Sequence, residues 1–164
     1  MAISITESQG TKVHLVATSV ATSTVAEIVT AITSAKQIGC LQSLGDITTS
    51  RNVQEYKCLT SDESAKSLGS ISLPSLDVEL LFDARDATGQ AELRTMYSTN
   101  TRRKMILELN DKPTGTVTNP TYIVFESGLS SDGESVAIDN AIMYKATVEI
   151  CSKPIMLPAA VTTP

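Results

Sequence analysis

The sequence is poor in aromatic residues, histidine and cysteine. Phe, Trp and Tyr make up 4% of the 164 residues, and tryptophan is absent, which leaves little to build the exposed aromatic platform of a carbohydrate-binding module. The cysteines, Cys40, Cys58 and Cys151, are widely spaced and form no CxxC pair, so we expect free thiols. His14 is the one histidine available for a zinc site, and no ligand spacing supports such a site. We therefore expect neither a metal centre nor a cofactor, and we place His14 on the solvated face of a strand.

Clustered positive charge is also scarce. The net charge is −5, and the one dense basic run is Arg102-Arg103-Lys104, which we interpret as the solvated entrance to a strand. Because affinity for nucleic acid depends on clustered Lys and Arg, this composition argues against a specific nucleic-acid binder. No apolar run approaches the about 18 residues that span a bilayer, and residues 1–10 lack the pattern of a signal peptide. We expect a protein that is made and kept in the cytosol, or that leaves it by a route without a signal peptide, and that has no membrane partner.

Catalytic motifs are missing as well. The sequence contains no GxSxG, P-loop or GxGxxG pattern, and its one histidine has no nucleophile in a catalytic context. Glu27 with Glu55, or Glu108 with Glu126, could face each other on neighbouring strands as a glycosidase dyad does, but solvated strand faces give the same pattern far more often. We therefore predict that the protein is not an enzyme.

The abundant residues are Ser, Thr, Val and Ile, and short alternating runs of these residues indicate strands. The segment 23–35 is ambiguous, because its apolar spacing fits a helix whereas its β-branched content favours a strand; we favour a strand. The other predicted strands are 12–18, 53–59, 71–83, 104–110, 121–126 and 141–150, with a polar loop at 60–70. This pattern predicts a mainly β protein, an antiparallel β-sandwich or barrel with one flanking helix.

The flanking helix is predicted at 87–98, directly after a strand that ends at Asp83. Asp86 stands where an N-cap residue belongs, and the stripe of Leu93, Met96 and Tyr97 is suited to pack on the sheet. The acids could instead form a cation site, but they offer too few convergent oxygens. We interpret them as the joint between strand and helix.

Two segments fall outside this regular pattern. Residues 36–52 carry two glycines among polar residues, which predicts a long excursion rather than a core element. In residues 154–164, three prolines are expected to preclude a regular strand or helix, yet the segment contains apolar residues whose exposure to water is unfavourable. We divide the chain into one domain, 1–153, and an extended C-terminal arm, 154–164.

The order of these segments resembles that of the tail tube, or major tail, proteins of long-tailed bacteriophages. The resemblance extends over residues 25–156. It is carried by a glycine-marked loop before LGDIT, a polar loop closing on LGSI, a strand leading into FDARDATGQAEL, the turn NDKPTG and a last strand that ends in CSKPI.

This resemblance implies a structural subunit of the virion tail, synthesised in the host cytoplasm. Such subunits assemble into hexameric rings whose inner sheets join edge to edge around a channel. The rings stack into a tube through which the tape-measure protein and DNA pass, the DNA without specific binding. The alternatives are a monomeric β-sandwich binding module, for example for carbohydrate, and another tail-associated structural protein.

Two sets of candidate site residues follow. Side chains that alternate outward on the strands provide the candidates for the channel wall, namely Glu79, Glu108 and Glu149. Candidates for contacts between stacked rings are Gly39, Leu41 and Leu44 in the loop 36–52. Candidates for contacts along an adjacent subunit are Ile155, Met156 and Leu157 in the arm.

Overall fold

The computed structural model describes residues 10–57, 64–111, 117–137 and 140–161. Within these ranges the protein is mainly β with antiparallel strands, which confirms the predicted fold class, and it has two helices. The helices are α1 (Val25–Ser34) and α2 (Gly89–Thr99). The strands are β1 (Lys12–Ala17), β2 (Lys36–Ile38), β3 (Leu41–Leu44), β4 (Ser50–Lys57), β5 (Ser64–Ser72), β6 (Ser75–Leu81), β7 (Arg103–Glu108), β8 (Val117–Asn119), β9 (Tyr122–Ser135), β10 (Met143–Ile150), β11 (Ile155–Leu157) and β12 (Ala160–Val161).

Eight strands form one antiparallel sheet. Their order is β2-β1-β7-β9-β10-β6-β3, and β11 pairs with the start of β9. β2 and β3 lie at opposite ends of this order, yet only Gly39 and Cys40 separate them along the chain. The sheet therefore curls until its two ends meet. Cys40 has a left-handed backbone with φ of 55° at this corner.

The long strand β9 is shared by two halves of the sheet. Its residues 122–127 pair with β7, and its residues 127–135 pair with β10. One half contains β2, β1 and β7, and the other contains β10, β6 and β3. Between them lies the main core, as in a β-sandwich. Its buried residues are Val13, Leu15, Ile38, Leu76, Val78, Leu80, Leu93, Met96, Met105, Leu107, Phe125, Tyr144, Ala146, Val148 and Ile150.

Helix α2 closes one side of this core, close to its predicted position. Leu93 and Met96 are buried in the core as expected. Tyr97 is 47% exposed, so its predicted place on the packed stripe is wrong. Of the three predicted residues, Leu93 and Met96 contact the core and Tyr97 does not.

The acidic residues before α2 form the joint between strand and helix. The carboxylate of Asp86 accepts hydrogen bonds from the backbone N–H groups of Thr88, Gly89 and Gln90, at 2.8, 3.0 and 3.0 Å. It therefore satisfies amides of the first helical turn that have no partner within the helix. The N-cap residue is Thr88, so the prediction that Asp86 occupies the N-cap position is wrong by two residues; Asp86 caps the helix from the preceding turn. Asp83 accepts from the N–H of Arg85 at 2.9 Å and so closes the preceding turn.

Residues 25–34 form helix α1, so the prediction of a strand at 23–35 is wrong. Thr24 and Glu27 form a capping box, in which each side chain accepts from the backbone N–H of the other residue. Ile28 and Ala31 are buried in a second apolar cluster, on the face of β1, β7 and β9 opposite the main core. This cap and burial outweigh the modest strand preference of the β-branched residues.

β4 and β5 form a hairpin that pairs with no other described strand. Every described side chain in it is exposed. The sequence predicts a polar loop at 60–70, of which 60–63 lie outside the described residues, and one long strand at 71–83. Both assignments are wrong, because the chain breaks at 73–74 between β5 and β6.

The C-terminal arm contains short strands despite its prolines. β11 pairs with β9, and β12 pairs with β8. Pro154 and Pro158 flank β11 without lying inside it. An edge strand tolerates prolines at its ends, so the expectation that they preclude any strand here is wrong.

Candidate functional site

The outward face of β6, β10 and the second half of β9 is polar and uncovered. Leu76, Val78 and Leu80 of β6 point into the core, whereas the intervening Asp77 and Glu79 point outward. The same alternation holds along β10. A Cβ atom added at Gly133 of β9 would meet no atom within 4 Å. We call this surface the polar wall, formed by Asp77, Glu79, Ser131, Gly133, Lys145, Thr147 and Glu149.

Cross-strand hydrogen bonds tie the polar wall together. Lys145 Nζ lies 2.5 Å from Glu79 Oε1. Thr147 Oγ1 donates to Asp77 at 3.0 Å, and Ser131 Oγ lies 2.8 Å from Thr147 Oγ1. Such pairs are the unit that stabilises a sheet face.

Negative charge dominates the polar wall. The three acids Asp77, Glu79 and Glu149 outnumber its single cation, Lys145. The hydrogen bond and charge of Lys145 lower the pKa of Glu79, so this carboxylate stays ionised near neutral pH. Glu149 accepts from Ser130 at 2.7 Å.

Of the three predicted channel residues, two lie on this surface. Glu79 and Glu149 point outward from the neighbouring strands β6 and β10. Glu108 lies on β7, in the other half of the sheet, with its side chain 22% exposed. Its carboxylate lies 3.2 Å from His14 Nε2 and 3.5 Å from Lys12 Nζ. The structure does not bring Glu108 to the polar wall.

His14 itself is 4% exposed, so the expectation that it lies on a solvated face is wrong. Burial lowers the pKa of His14, although its hydrogen bond to the Glu108 carboxylate opposes the shift. The basic run at 102–104 is also only partly solvated. Arg103 donates to Glu92, and Lys104 donates to the carbonyl of Val20.

The half-sheet that carries the polar wall has two free edges. Among the described residues, no strand pairs with the outer side of β3 or with the side of β9 residues 128–135 that faces away from β10. Unpaired edges present rows of N–H and C=O groups that can accept another strand. The four strands β3, β6, β10 and β9 alternate in direction, since each neighbouring pair is antiparallel.

Arg94 of α2 fixes the far end of the β9 edge. Its guanidinium lies 2.5 Å from a carboxylate oxygen of Glu134. It also lies 5.4 Å from the ring centroids of both Phe82 and Tyr144, within the range of cation–π attraction. The helix therefore supports this edge from the inside.

Gly39, Leu41 and Leu44, predicted to bind between rings, lie at the corner and along the edge strand β3. Leu41 and Leu44 are half-buried against the core of their own chain. They do not form a protruding loop. The element that protrudes is the hairpin β4–β5, with exposed Val53, Tyr56, Leu68 and Ile71.

The hairpin was not predicted from the sequence. β5 consists largely of small polar residues and glycine, and it has no buried face to impose an apolar alternation. The remaining clue was the alternation of Val53 with polar neighbours in β4, which says nothing about its partner.

The arm residues have divided roles. Leu157 packs against the cluster under α1, whereas Ile155 and Met156 are 52% and 63% exposed. The backbone of all three pairs with β9 of the same chain. A contact of the two exposed residues with an adjacent subunit stays a prediction.

The described residues show neither a cluster of metal ligands nor a membrane-spanning helix. Among the described residues, no group of three or more His, Cys, Asp or Glu side chains converges as a metal site. Neither of the helices in the described ranges is long and apolar enough to cross a membrane.

Comparison with solved structures identifies the fold. The chain is similar to the SPP1 tail tube, with a TM-score of 0.66 and 14% identity over 96% of this chain and 81% of that one. It is similar to a chain of the anti-feeding prophage baseplate, six-fold symmetrised, with a TM-score of 0.64 and 8% identity over 96% and 98% of the chains. For the tail of an empty gene transfer agent particle with C6 symmetry, the values are 0.55 and 13% over 79% and 87%.

No protein-family model matches the chain, and no curated protein matches it either. At these identities the likeness shows the fold. The resemblance to tail tube proteins seen in the sequence is thereby confirmed in three dimensions.

Proposed function

We propose that the protein is the structural subunit of a phage-type tail tube. In this proposal six copies form a ring, and the rings stack around a channel. The observation that carries the proposal is the polar wall, an uncovered sheet face flanked by two free edges. In a monomer both edges stay unpaired, whereas a closed ring pairs both edges and turns the face toward its interior.

The strand directions permit ring closure without a mismatched seam. β3 and β9 are the two edge strands of the half-sheet. Because the order β3-β6-β10-β9 contains four strands and each neighbouring pair is antiparallel, the first and the last run in opposite directions. Copies related by rotation about the ring axis keep their strand directions. β9 of one copy therefore meets β3 of the next as an antiparallel pair, and the alternation continues around the ring.

The symmetry of similar assemblies supports six copies. The anti-feeding prophage baseplate is six-fold symmetrised, and the gene transfer agent tail has C6 symmetry. Six half-sheets contribute roughly 24 strands, which at about 4.8 Å each give a wall roughly 115 Å around before strand tilt widens it. A wall of this size encloses an open channel rather than a packed core.

The charge of the polar wall suits passage of DNA. Each copy contributes three acids and one lysine, and sixfold repetition multiplies the excess around the ring. Carboxylates repel phosphate at close range, and at physiological salt their field decays within about 8 Å. We propose that DNA passes without specific binding and that the tape-measure protein occupies the channel before it. The role is structural rather than catalytic, in the virion tail, after synthesis in the host cytoplasm.

Disulfide trapping at the seam tests the proposal. In a background with Cys40, Cys58 and Cys151 replaced by serine, Ser43→Cys on β3 is combined in turn with Ser131→Cys, Gly133→Cys and Ser135→Cys on β9. Three partner positions on β9 are used because the residue of β9 that lies opposite Ser43 of the next copy depends on the register between the two strands, which can differ in steps of two residues.

At least one combination is expected to form a covalent ladder that ends at six copies under oxidising conditions. Ser43→Cys with Val29→Cys on α1 serves as the control and should give no ladder. Monomers with every combination, together with no rings by electron microscopy at high concentration, would contradict the proposal and favour a monomeric binding module.

A further inference from the structure

The lysine of the polar wall lies between a glutamate and a glycine. Lys145 of β10 stands opposite Glu79 of β6 on one side and opposite Gly133 of β9 on the other. Directly opposed residues lie on the same face, with their Cβ atoms about 5 Å apart. Gly133 has no side chain, and a Cβ atom there would meet nothing within 4 Å. Lys145 therefore has a directly opposed side chain on one side alone, and that side chain is acidic.

The carboxylate of Glu79 is held from both sides. Its Oε1 lies 2.5 Å from Lys145 Nζ. On the neighbouring strand β3, Ser43 stands opposite Glu79, and its hydroxyl donates to Oε2 at 3.3 Å. The hydrogen bond and charge of Lys145, followed by the hydrogen bond of Ser43, lower the pKa of Glu79. Glu79 therefore carries its negative charge beside the lysine at neutral pH.

The other two acids of the polar wall have neutral partners. Asp77 accepts from the hydroxyl of Thr147, and Glu149 accepts from the hydroxyl of Ser130. Within the described part of the chain, neither carboxylate forms an ion pair. Glu79 thus differs from both, because its carboxylate neutralises a cation of the wall.

The pair of Glu79 and Lys145 is too exposed to contribute much to folding. The two side chains are 36% and 52% exposed, and ion pairs in such surroundings add little stability. Their proximity has a larger effect on the field outside the wall. Two opposite charges a few Å apart form a dipole, whose field decays more steeply with distance than the field of a single charge. A phosphate near the wall is therefore attracted less by the pair than by an isolated lysine.

We propose that Glu79 neutralises Lys145 and so prevents this lysine from binding the phosphates of DNA in the channel. The inference rests on the proposed tube and gives Glu79 a role distinct from general repulsion. Without Glu79, sixfold symmetry places six isolated ammonium groups around each ring. Clustered cations of this kind are the groups that hold nucleic acid.

Three variants separate this role from the net charge of the wall. Three acids and one lysine leave a charge of −2 on the wall of each copy. Glu79→Gln and Glu149→Gln each change this charge to −1, and each replaces a carboxylate by an amide of nearly the same shape. The double variant Glu79→Gln/Lys145→Gln restores −2. If net charge alone mattered, the two single variants would bind DNA equally.

The measurement is the binding of a short fluorescent DNA duplex to assembled tubes, by cosedimentation over a range of salt. The outer surface is the same in all the tubes, so differences report the wall. Glu79→Gln tubes should bind the duplex more tightly than Glu149→Gln or parent tubes. If two lysines contact phosphates, this affinity should fall roughly tenfold between about 50 and 200 mM salt. The double variant should bind as weakly as the parent.

Equal binding by the two single variants, or a double variant that binds as tightly as Glu79→Gln, would overturn the inference. Thermal melts and electron microscopy establish that each variant is folded and assembled. Should Glu79→Gln subunits not assemble alone, tubes formed with parent subunits provide the same test, because binding should rise with the share of the variant. A parent protein that forms no tubes would overturn the proposed function, and this inference with it.

Discussion

Glu92 Oε1 lies 2.6 Å from Arg103 Nη2, and the Glu92 side chain is only 6% exposed. The same carboxylate accepts from Lys36 through its other oxygen. Since Glu92 is on α2, Arg103 on β7 and Lys36 on β2, this cluster joins the helix to two strands of the sheet. A carboxylate removed from water in this way needs both partners.

Glu92→Gln should lower the free energy of unfolding by about 2–3 kcal/mol, because it weakens two charge-assisted hydrogen bonds to a buried group. Lys36 is half exposed, which keeps the expected cost below that of a fully buried pair. Urea denaturation of the isolated subunit measures it. Glu134→Gln, which breaks a more exposed pair with Arg94, should cost no more than about 1 kcal/mol; equal losses in the two variants would contradict this account of Glu92.

The same carboxylate makes stability depend on pH. Burial raises the pKa of Glu92, but hydrogen bonds from Lys36 and Arg103 outweigh it, so the pKa is lowered from the ordinary value of 4.5. Between the folded and unfolded pKa values the unfolded chain binds more protons, so stability is lost as the pH falls below about 4.5. Denaturation from pH 6 to pH 2 should show a smaller loss in Glu92→Gln than in the parent. Identical slopes would show that Glu92 is not the group responsible.

Gly89→Ala should destabilise the subunit by about 1–3 kcal/mol, although alanine is the better helix former. A Cβ there would lie 2.6 Å from the carbonyl oxygen of Gln37 and 2.8 Å from the Cα of Ile38. The start of α2 thus packs directly on the backbone of β2. Gly133→Ala, which meets open space, is the control and should change stability by about 0.5 kcal/mol or less.

Leu93→Ala should cost about 2–5 kcal/mol, because the side chain is fully buried in the main core. Tyr97→Ala, one turn later and 47% exposed, should cost less than about 1 kcal/mol. Thermal or urea melts of the pair report which face of α2 contacts the sheet. A larger loss in Tyr97→Ala would reverse the face assigned here.

Glu149→Lys should leave tube assembly intact and slow DNA ejection, because it removes the excess of acids over lysine on the polar wall. Glu149 is the better choice than Glu79, which is paired with Lys145. The measurement is the ejection rate of particles carrying the substitution, across a range of salt. Added salt should reduce the effect, whereas an unchanged rate at low salt would rule out an electrostatic role for the wall.

Helices and strands were predicted most accurately from the sequence where one face of the element is buried and the other is exposed. The side chains of β7 and β10 alternate because one face of each strand packs in the core. The carboxylate of Asp86 does accept from amides at the start of α2, although the N-cap residue itself is Thr88. The segment of α1 was predicted as a strand because its β-branched composition was preferred to its helical apolar spacing, and the capping box of Thr24 and Glu27 was not recognised. β5 was missed because both its faces are exposed, and such a strand has no alternation to detect.

The candidate site was predictable only in part for a related reason. Alternation within a strand shows which side chains point outward, and this placed Glu79 and Glu149 correctly on one face. It does not show which half of the sheet a strand joins. Glu108 was therefore grouped with them, although β7 lies across the core and its outward face contacts His14.

Image reconstruction of the purified protein by cryo-electron microscopy, at concentrations that drive assembly, tests the central claim most directly. The account predicts hollow tubes of stacked six-membered rings whose channel is lined by the polar wall, with β9 of each copy paired to β3 of the next. Monomers alone, or an assembly with Glu79 and Glu149 on its outer surface, would contradict it.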